Sequence, residues 1–314
     1  MWRVAYIAAL LACAVAISTG CNRTDRHKKL IAILVPSQDN PYFKAEADAA
    51  AARATELGYR VRIDAHNDDA YQQDNLVDAA IASNASALIL DNAGSDASIT
   101  AVRRAVKAGI AVFLIDREIA ASGVAQAQII ADNDQGARLV AAEFVRVTGV
   151  TGEYAELLGR ESDTNAQIRT QGFHAVLDMY SRLRRVSAQS ANWSQSEAFQ
   201  KTETMLQAHG NILGIIAGND TMALGAAAAV KSAGIKGLRI VGFDGSPDAV
   251  EAIKAGELQA TALQPAVLIA GLAVDEADRY LKTGSIGKPE RQVIPCDLVT
   301  KKNADDYRNF EKVR

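Results

Sequence analysis

The chain has 314 residues, of which 49% are hydrophobic and 23% are charged, and its formal net charge is −3. This length suggests about two domains, each large enough to bury a hydrophobic core. The small net charge provides no strong basic field, which argues against nucleic acid as a partner.

Residues 1–20 are predicted to be a signal peptide. Arg3 is the only charge before Cys21, and the apolar run Val4–Ile17 is shorter than the roughly 20 residues of a membrane-spanning helix. Residues 18–21 (STGC) resemble a bacterial lipobox, although Ser18 replaces the usual leucine. We therefore expect lipidation at Cys21 and a location in the periplasm or on the outer face of the cytoplasmic membrane. A cleaved signal and a free soluble protein are the alternative.

Residues 21–29 are polar and charged and are predicted to be a tether. Cys13 is lost with the signal peptide and Cys21 would carry the lipid, so Cys296 is the cysteine that remains. The mature chain then has no intramolecular disulfide, and its stability must come from the core. Cys296 is expected to be a small buried apolar residue.

From residue 30 onward, short apolar runs alternate with helical patterns. Strands are predicted at 30–35, 60–64, 87–90 and 110–115, and helices at 42–57, 70–83 and 98–108. The second half repeats this rhythm, with strands at 154–158, 185–189, 212–216 and 239–242, and helices at 134–148, 168–179, 195–209, 221–233 and 247–255. Such alternation is typical of βαβ units, so the sequence predicts an α/β fold of two doubly wound parallel-sheet lobes.

Polar and aromatic side chains follow the predicted strands in both halves. They are Asn40, Tyr42, Phe43, Asp91, Asp116 and Arg117 in the first half, and Asn219 and Asp244 in the second. Open parallel sheets bind ligands at the carboxyl ends of their strands. Carboxylates and amides bind hydroxyl groups, arginine donates in a planar fork, and aromatic faces cover apolar C–H surface. The pattern favours a neutral, hydroxyl-rich ligand over a phosphate, since the chain has neither a P-loop nor a G-x-G-x-x-G motif.

Each of these residues also has a purely structural explanation. Asn40 could cap the helix that follows it, and Asp220 is expected to be only a helix cap. Asp244 could lie in a turn, and Arg117 could pair with Glu118 on the surface. Their common position at strand ends in both halves favours the ligand-binding interpretation for the set.

At these residues the sequence resembles the type I periplasmic binding proteins of sugar ABC transporters, especially the ribose-binding branch. The resemblance extends from about residue 30 to residue 299. It is carried by residues 40–43 (NPYF), 115–117 (IDR), 131–133 (ADN), 169–173 (RTQGF), 219–226 (NDTMALGA) and 241–245 (VGFDG). It implies that Tyr42 and Phe43 stack on the sugar, and it adds Arg169, Trp193 and Gln264 as ligand residues.

The resemblance also implies a hinge of three crossings, near Asp132, Gln264 and Arg291. Residues 30–131 with 265–291 would form the first lobe, and 132–264 with 292–314 the second. Ligand bridging both lobes would stabilise a closed form that docks on a membrane permease driven by an ATPase. We expect a monomer that binds its ligand without catalysis, cofactor or metal ion.

Several departures from the ribose-binding pattern bear on the ligand. Pro36 stands where ribose binders place a hydroxyl side chain, Asp91 replaces an asparagine, and Trp193 is larger than the expected phenylalanine. The loop 159–164 carries more charge than a ribose binder would. These differences favour a small sugar or sugar alcohol, with a pentose or an open-chain polyol as the expected ligand.

Two other classes of protein are less consistent with the sequence. A glycosidase would need a carboxyl group with a raised pKa, and the sequence provides no reason to expect one. A sugar-responsive repressor would carry a helix-turn-helix where this chain has its predicted signal. A receptor for chemotaxis or for a sensor kinase stays open as the alternative function, because the same closed form can dock there.

Overall fold

A computed structural model describes residues 28–313 of the chain. The predicted signal peptide, Cys21 and most of the predicted tether lie outside these described residues. Within residues 28–313, no helix combines the length and the apolar character that crossing a bilayer requires.

The first lobe contains a six-stranded sheet with helices on both faces. Its elements up to the first crossing are β1 (Leu30–Val35), α1 (Pro41–Glu56), β2 (Arg60–Ala65), α2 (Ala70–Ala82), β3 (Ala87–Leu90), α3 (Ile99–Lys107), β4 (Ala111–Ile115) and β5 (Ala127–Ala131). Every residue of β1, β3, β4 and β5 is buried. A parallel sheet covered on both faces favours such continuous apolar runs over alternating ones.

The second lobe repeats this architecture. Its elements are α4 (Asn133–Thr148), β6 (Gly152–Leu158), α5 (Thr164–Leu177), β7 (Leu183–Ser190), α6 (Gln195–Ala208), β8 (Gly214–Ala217), α7 (Asp220–Ser232), β9 (Arg239–Val241), α8 (Pro247–Ala255) and β10 (Ala260–Leu263). The chain then returns through α9 (Ala266–Thr283), β11 (Arg291–Ile294), β12 (Asp297–Thr300), a short 3₁₀ helix (Ala304–Asp306), β13 (Tyr307–Arg308) and β14 (Glu311–Lys312).

The strand order is the same in both sheets. It is β11-β5-β4-β3-β1-β2 in the first lobe and β12-β10-β9-β8-β6-β7 in the second. All pairs are parallel except β10 with β12. In each lobe the strand order reverses beside the first strand of the lobe, β1 or β6, and ligands bind at such switch points. The predicted fold class of two doubly wound α/β lobes is confirmed.

The chain passes between the sheets three times. The first two crossings lie around Asp132 and around Gln264, as the resemblance implied. The third lies between Ile294 and Asp297 rather than at Arg291, because β11 stays in the first sheet through the pairing of Ile294 with Ala131. Residues 292–294 therefore belong to the first lobe and not, as expected, to the second.

Candidate functional site

A cavity lies between the two lobes, at the carboxyl ends of both sheets. The empty space at this position, including the part that is open to solvent, is about 250 Å³. Its lining residues are Asn40, Tyr42, Phe43, Asp116, Arg117, Asp163, Asn165, Arg169, Trp193, Asn219, Asp244 and Gln264. All of the ligand residues predicted from the sequence line this cavity except Asp91.

Asn40, Tyr42 and Phe43 follow β1 and form part of the first-lobe wall. Asn40 also caps α1, because its Oδ1 accepts a hydrogen bond of 3.0 Å from the backbone N–H of Tyr42. Tyr42 donates its hydroxyl to Oδ1 of Asp116 at 3.4 Å. The rings of Tyr42 and Phe43 meet edge to face at 5.7 Å, and the guanidinium of Arg117 lies 4.9 Å from the Phe43 centroid. Capping and lining the cavity are therefore compatible roles for Asn40.

Arg117 is only 2% exposed and lies among carboxylates. Its Nη1 donates to Oδ1 of Asp68 at 2.6 Å, and its Nε forms an ion pair of 2.8 Å with Asp163 of the second lobe. The carboxylates of Asp91 and Asp116 lie 3.4 and 3.8 Å from Nε. The alternative of a surface pair between Arg117 and Glu118 is therefore wrong.

Asp91 lies behind the cavity wall, which corrects its predicted role as a ligand residue. Its side chain is fully buried and is not among the lining residues, and it lies 3.4 Å from Nε of Arg117, which does line the cavity. Burial raises the pKa of Asp91 well above its usual value, although the charge of Arg117 opposes the shift. Asp91 thus supports the guanidinium and does not face the cavity.

Arg169 of α5 organises the second-lobe wall. Its Nε donates to Asn133 at 2.7 Å, and its Nη1 donates to the carbonyl of Gly218 at 2.9 Å and to Asp244 at 3.2 Å. The guanidinium lies 4.0 Å from the centroid of the Phe243 ring. With its donors directed in this way, Arg169 fixes the positions of groups at the ends of two strands.

A chain of side-chain amides connects Arg169 to the first lobe. Asn133 donates to Oδ1 of Asn165 at 3.0 Å, and Asn165 donates to Oδ1 of Asp116 at 3.1 Å. Asn133, Asn165 and Asp116 are all buried. The closed arrangement of the lobes therefore includes direct polar contacts between them.

Sequence reasoning missed Asp163 and Asn165 as cavity residues and noted only that the loop 159–164 is charged. Asp163 follows β6 and caps α5, accepting from the backbone N–H of Asn165 at 2.8 Å. A capping aspartate at the switch point of the second sheet is the signal that indicates its place. Its functional contacts reach Arg117 and Trp193, which are distant in sequence.

Two buried carboxyl groups, Asp116 in the cavity and Asp220 outside its lining, have raised pKa values, contrary to the expectation from the sequence. Burial raises the pKa of Asp116 to about 6, with Arg117 opposing the shift. Burial also raises the pKa of Asp220 to about 7.

Asp220 is not, as was expected from the sequence, the cap of α7. Asn219 is the cap, since its side chain accepts a hydrogen bond of 2.9 Å from the backbone N–H of Met222.

Three of the cavity residues have unusual backbone conformations. Asp116, Trp193 and Asp244 have φ angles of 56°, 66° and 121°. Side chains other than glycine rarely adopt positive φ, and such strain concentrates at functional sites. Backbone positions with positive φ therefore coincide with strand ends at the cavity.

The comparisons with known proteins agree with this geometry. A family model described as a periplasmic binding protein domain matches residues 31–286. The D-apiose import binding protein of Paraburkholderia graminis is 55% identical over 91% of this chain and 92% of its own length. The ribose import binding protein of Haemophilus influenzae is 35% identical over 93% of this chain and 95% of its own.

Solved structures show the same relationship. A periplasmic solute-binding protein from Actinobacillus succinogenes with bound D-allose superposes with a TM-score of 0.83 at 30% identity, covering 89% of this chain and 100% of that one. A Caulobacter myo-inositol binding protein superposes with a TM-score of 0.84 at 26% identity, covering 90% and 97%. The chain therefore belongs to the periplasmic binding protein family, and it is a binding protein rather than an enzyme.

Proposed function

We propose that the chain captures a small sugar between its lobes, with D-apiose as the first candidate, and delivers it to the permease of an ABC importer. The observation that carries this proposal is the small closed cavity, whose walls bring carboxylates, amides, two arginines and aromatic rings together. The relative that is 55% identical is named for the import of D-apiose, a branched five-carbon sugar.

Three buried polar atoms of the cavity residues have no hydrogen-bond partner within residues 28–313, namely Nε and Nη2 of Arg117 and Oε1 of Gln264. Nε is in an ion pair with Asp163, so Nη2 and Oε1 are available to such a ligand. Buried polar groups are nearly always paired, because an unpaired group loses its hydration without compensation. A sugar hydroxyl can both accept from the guanidinium and donate to the amide oxygen.

The proposal also covers the location, the membrane anchor and the oligomeric state of the protein. Family membership implies the periplasm. Lipidation at Cys21 would keep the binding protein near the membrane, where its permease and the companion ATPase lie. The chain would act as a monomer, since both walls of the cavity belong to one chain.

Titration with D-apiose is expected to change the tryptophan fluorescence of the mature chain. Trp2 is absent once residues 1–20 are removed, so the signal comes from Trp193, which lines the cavity. Calorimetry with D-apiose, D-ribose, D-allose, myo-inositol and glycerol measures the dissociation constants, and we expect D-apiose to bind most tightly. Ribose 5-phosphate serves as the control, because the carboxylate-rich cavity should exclude an anion. Absence of binding heat for every neutral sugar would contradict the proposal.

Sugar affinity is expected to increase between about pH 5 and pH 7.5. The pKa of Asp116 is about 6 because of burial, and protonation turns one oxygen of the acceptor-only carboxylate into an O–H donor, which removes a charge-assisted acceptor for sugar hydroxyls. Protonation should weaken binding by about tenfold for each pH unit below that pKa. Calorimetry across this range provides the measurement, and a flat profile would show that the ligand does not contact a charged Asp116.

The stability of the ligand-free protein should change in the opposite direction. The folded state binds more protons than the unfolded chain between about pH 4 and pH 6, because burial raises the pKa of Asp116. This contribution to stability is present at low pH and is lost as the pH rises through about 6. Urea unfolding at the same pH values separates it from the change in affinity.

A further inference from the structure

We infer that Asp163 is a positioning residue that sets the size of the closed cavity, by joining the indole of Trp193 in the second lobe to the guanidinium of Arg117 in the first. The inference rests on the proposed sugar-binding function. It identifies the contact that restricts the ligand to the size of a pentose. We call these two contacts of Asp163 the Asp163 bridge.

The two carboxylate oxygens of Asp163 make different contacts. Oδ1 accepts from the backbone N–H of Asn165 at 2.8 Å and caps α5. Oδ2 accepts from Nε1 of Trp193 at 3.1 Å and lies 2.8 Å from Nε of Arg117. The residue is only 3% exposed, so no solvent competes effectively for either contact. The cap is local, whereas the bridge connects both walls of the cavity.

Trp193 has almost no freedom to move away from the cavity. A Cβ atom at Gly159 would lie 2.0 Å from Cη2 of the indole, and one at Gly218 would lie 3.1 Å from Cζ3. The ring therefore packs directly on the backbone at the ends of two strands. Asn192 and Trp193 have φ angles of 50° and 66°, which also restricts the backbone that carries the ring.

Arg117 is fixed from the side of the first lobe. It donates to Asp68 at 2.6 Å and to the carbonyl of Asn92 at 3.0 Å. Its ion pair with Asp163 joins the two lobes inside a buried site, where charges interact more strongly than in water. The bridge therefore determines how closely the Trp193 wall approaches the Arg117 wall, which limits the ligand that the closed form accepts.

Two substitutions separate the bridge from the helix cap. Asp163→Ser keeps a capping oxygen but removes the atom that contacts Trp193 and Arg117. Asp163→Asn keeps the size and the capping oxygen but directs an NH₂ group at two donors. Asp69→Ser is the matched control, because Asp69 caps α2 through the N–H groups of Tyr71 and Gln72 and does not line the cavity.

Both Asp163 variants should change selectivity as well as affinity. Loss of a charge-assisted contact corresponds to about a tenfold to hundredfold weaker binding of D-apiose. D-allose, a larger hexose, should lose much less, so the ratio of the two dissociation constants shifts at least about tenfold toward D-allose. Trp193→Phe should shift the ratio in the same direction. Adding Trp193→Phe to Asp163→Ser should change little further, because Asp163→Ser already removes the contact between Asp163 and Trp193.

Calorimetry with both sugars on the wild-type protein and the five variants tests the inference. Equal losses for both sugars, an unchanged D-apiose affinity, or a shift of the same size in Asp69→Ser would overturn the inference, as would additive effects in the double variant. Wild-type protein that binds no neutral sugar would contradict the proposed function itself, and the inference with it; wild-type protein that binds other neutral sugars but neither of these two would overturn the inference alone. Wild-type binding with an unchanged ratio in the Asp163 variants would overturn the inference alone.

Discussion

Arg117→Met is expected to abolish sugar binding and to destabilise the protein. The guanidinium is buried among the carboxylates of Asp68, Asp91, Asp116 and Asp163, which lie 2.6 to 3.8 Å from its nitrogens. Removing one partner of a buried ion pair costs about 3–5 kcal/mol, because the remaining charge stays desolvated and unpaired. Binding is lost as well, because the carboxylates then repel one another across the cleft.

Urea unfolding and calorimetry test this expectation against Arg104→Met. Arg104 is partly exposed and pairs with Asp74 and Asp78 on the surface, where an ion pair contributes about 0–1 kcal/mol. The loss in Arg117→Met should be smaller near pH 5, where Asp116, whose pKa is about 6 even beside Arg117, is largely protonated. If the free energy of unfolding of Arg117→Met is no lower than that of Arg104→Met, the buried carboxylates do not need Arg117 to remain stable in the folded protein.

Arg169→Lys is expected to weaken sugar binding by at least about tenfold while leaving the protein folded. Lysine keeps a positive charge beside Asp244 but lacks the planar fork, so it cannot hold Asn133 and the Gly218 carbonyl together. The stacking of the guanidinium on Phe243 is also lost. Since Asn133 positions Asn165, the polar connection between the lobes loosens.

Arg185→Lys is the matched control for this substitution. Arg185 pairs with the buried Glu156 on β6, and it does not line the cavity. Calorimetry should show wild-type affinity for Arg185→Lys and a weakened affinity for Arg169→Lys, with similar thermal midpoints for the two. Unchanged affinity in Arg169→Lys would mean that charge alone, without the fork, suffices at this position.

The predicted strands that match the structure best are buried runs of uninterrupted apolar residues. Residues 30–35 and 87–90 were predicted with the bounds that β1 and β3 have. β5 escaped prediction because Gln128 interrupts its short apolar run, although that side chain is buried and donates to the carbonyl of Ala121. β11 and β12 escaped because they are half-exposed edge strands whose partners lie far away in the sequence.

Prediction of the candidate site was also limited by contacts between residues that are distant in sequence. The rule that ligand residues follow parallel strands depends only on local sequence, and it placed seven side chains at one cavity. The family resemblance added Arg169, Trp193 and Gln264, which line the same cavity. The rule placed Asp91 wrongly, because a position after a strand does not reveal whether the side chain lines the cavity or is buried beside Arg117. It missed Asp163 and Asn165, because their contacts with Arg117 and Asp116 cross the cleft and depend on both lobes.

The packing of Trp193 on Gly159 constrains the order in which the specificity of this chain could evolve. An alanine at position 159 would place its Cβ 2.0 Å from the indole, so Gly159→Ala alone should be rejected. Trp193→Phe removes the indole atoms that this Cβ would meet. A lineage that acquires alanine at position 159 must therefore change Trp193 first, and after the alanine is fixed a return to tryptophan is blocked. Specificity changed along this route would be difficult to reverse.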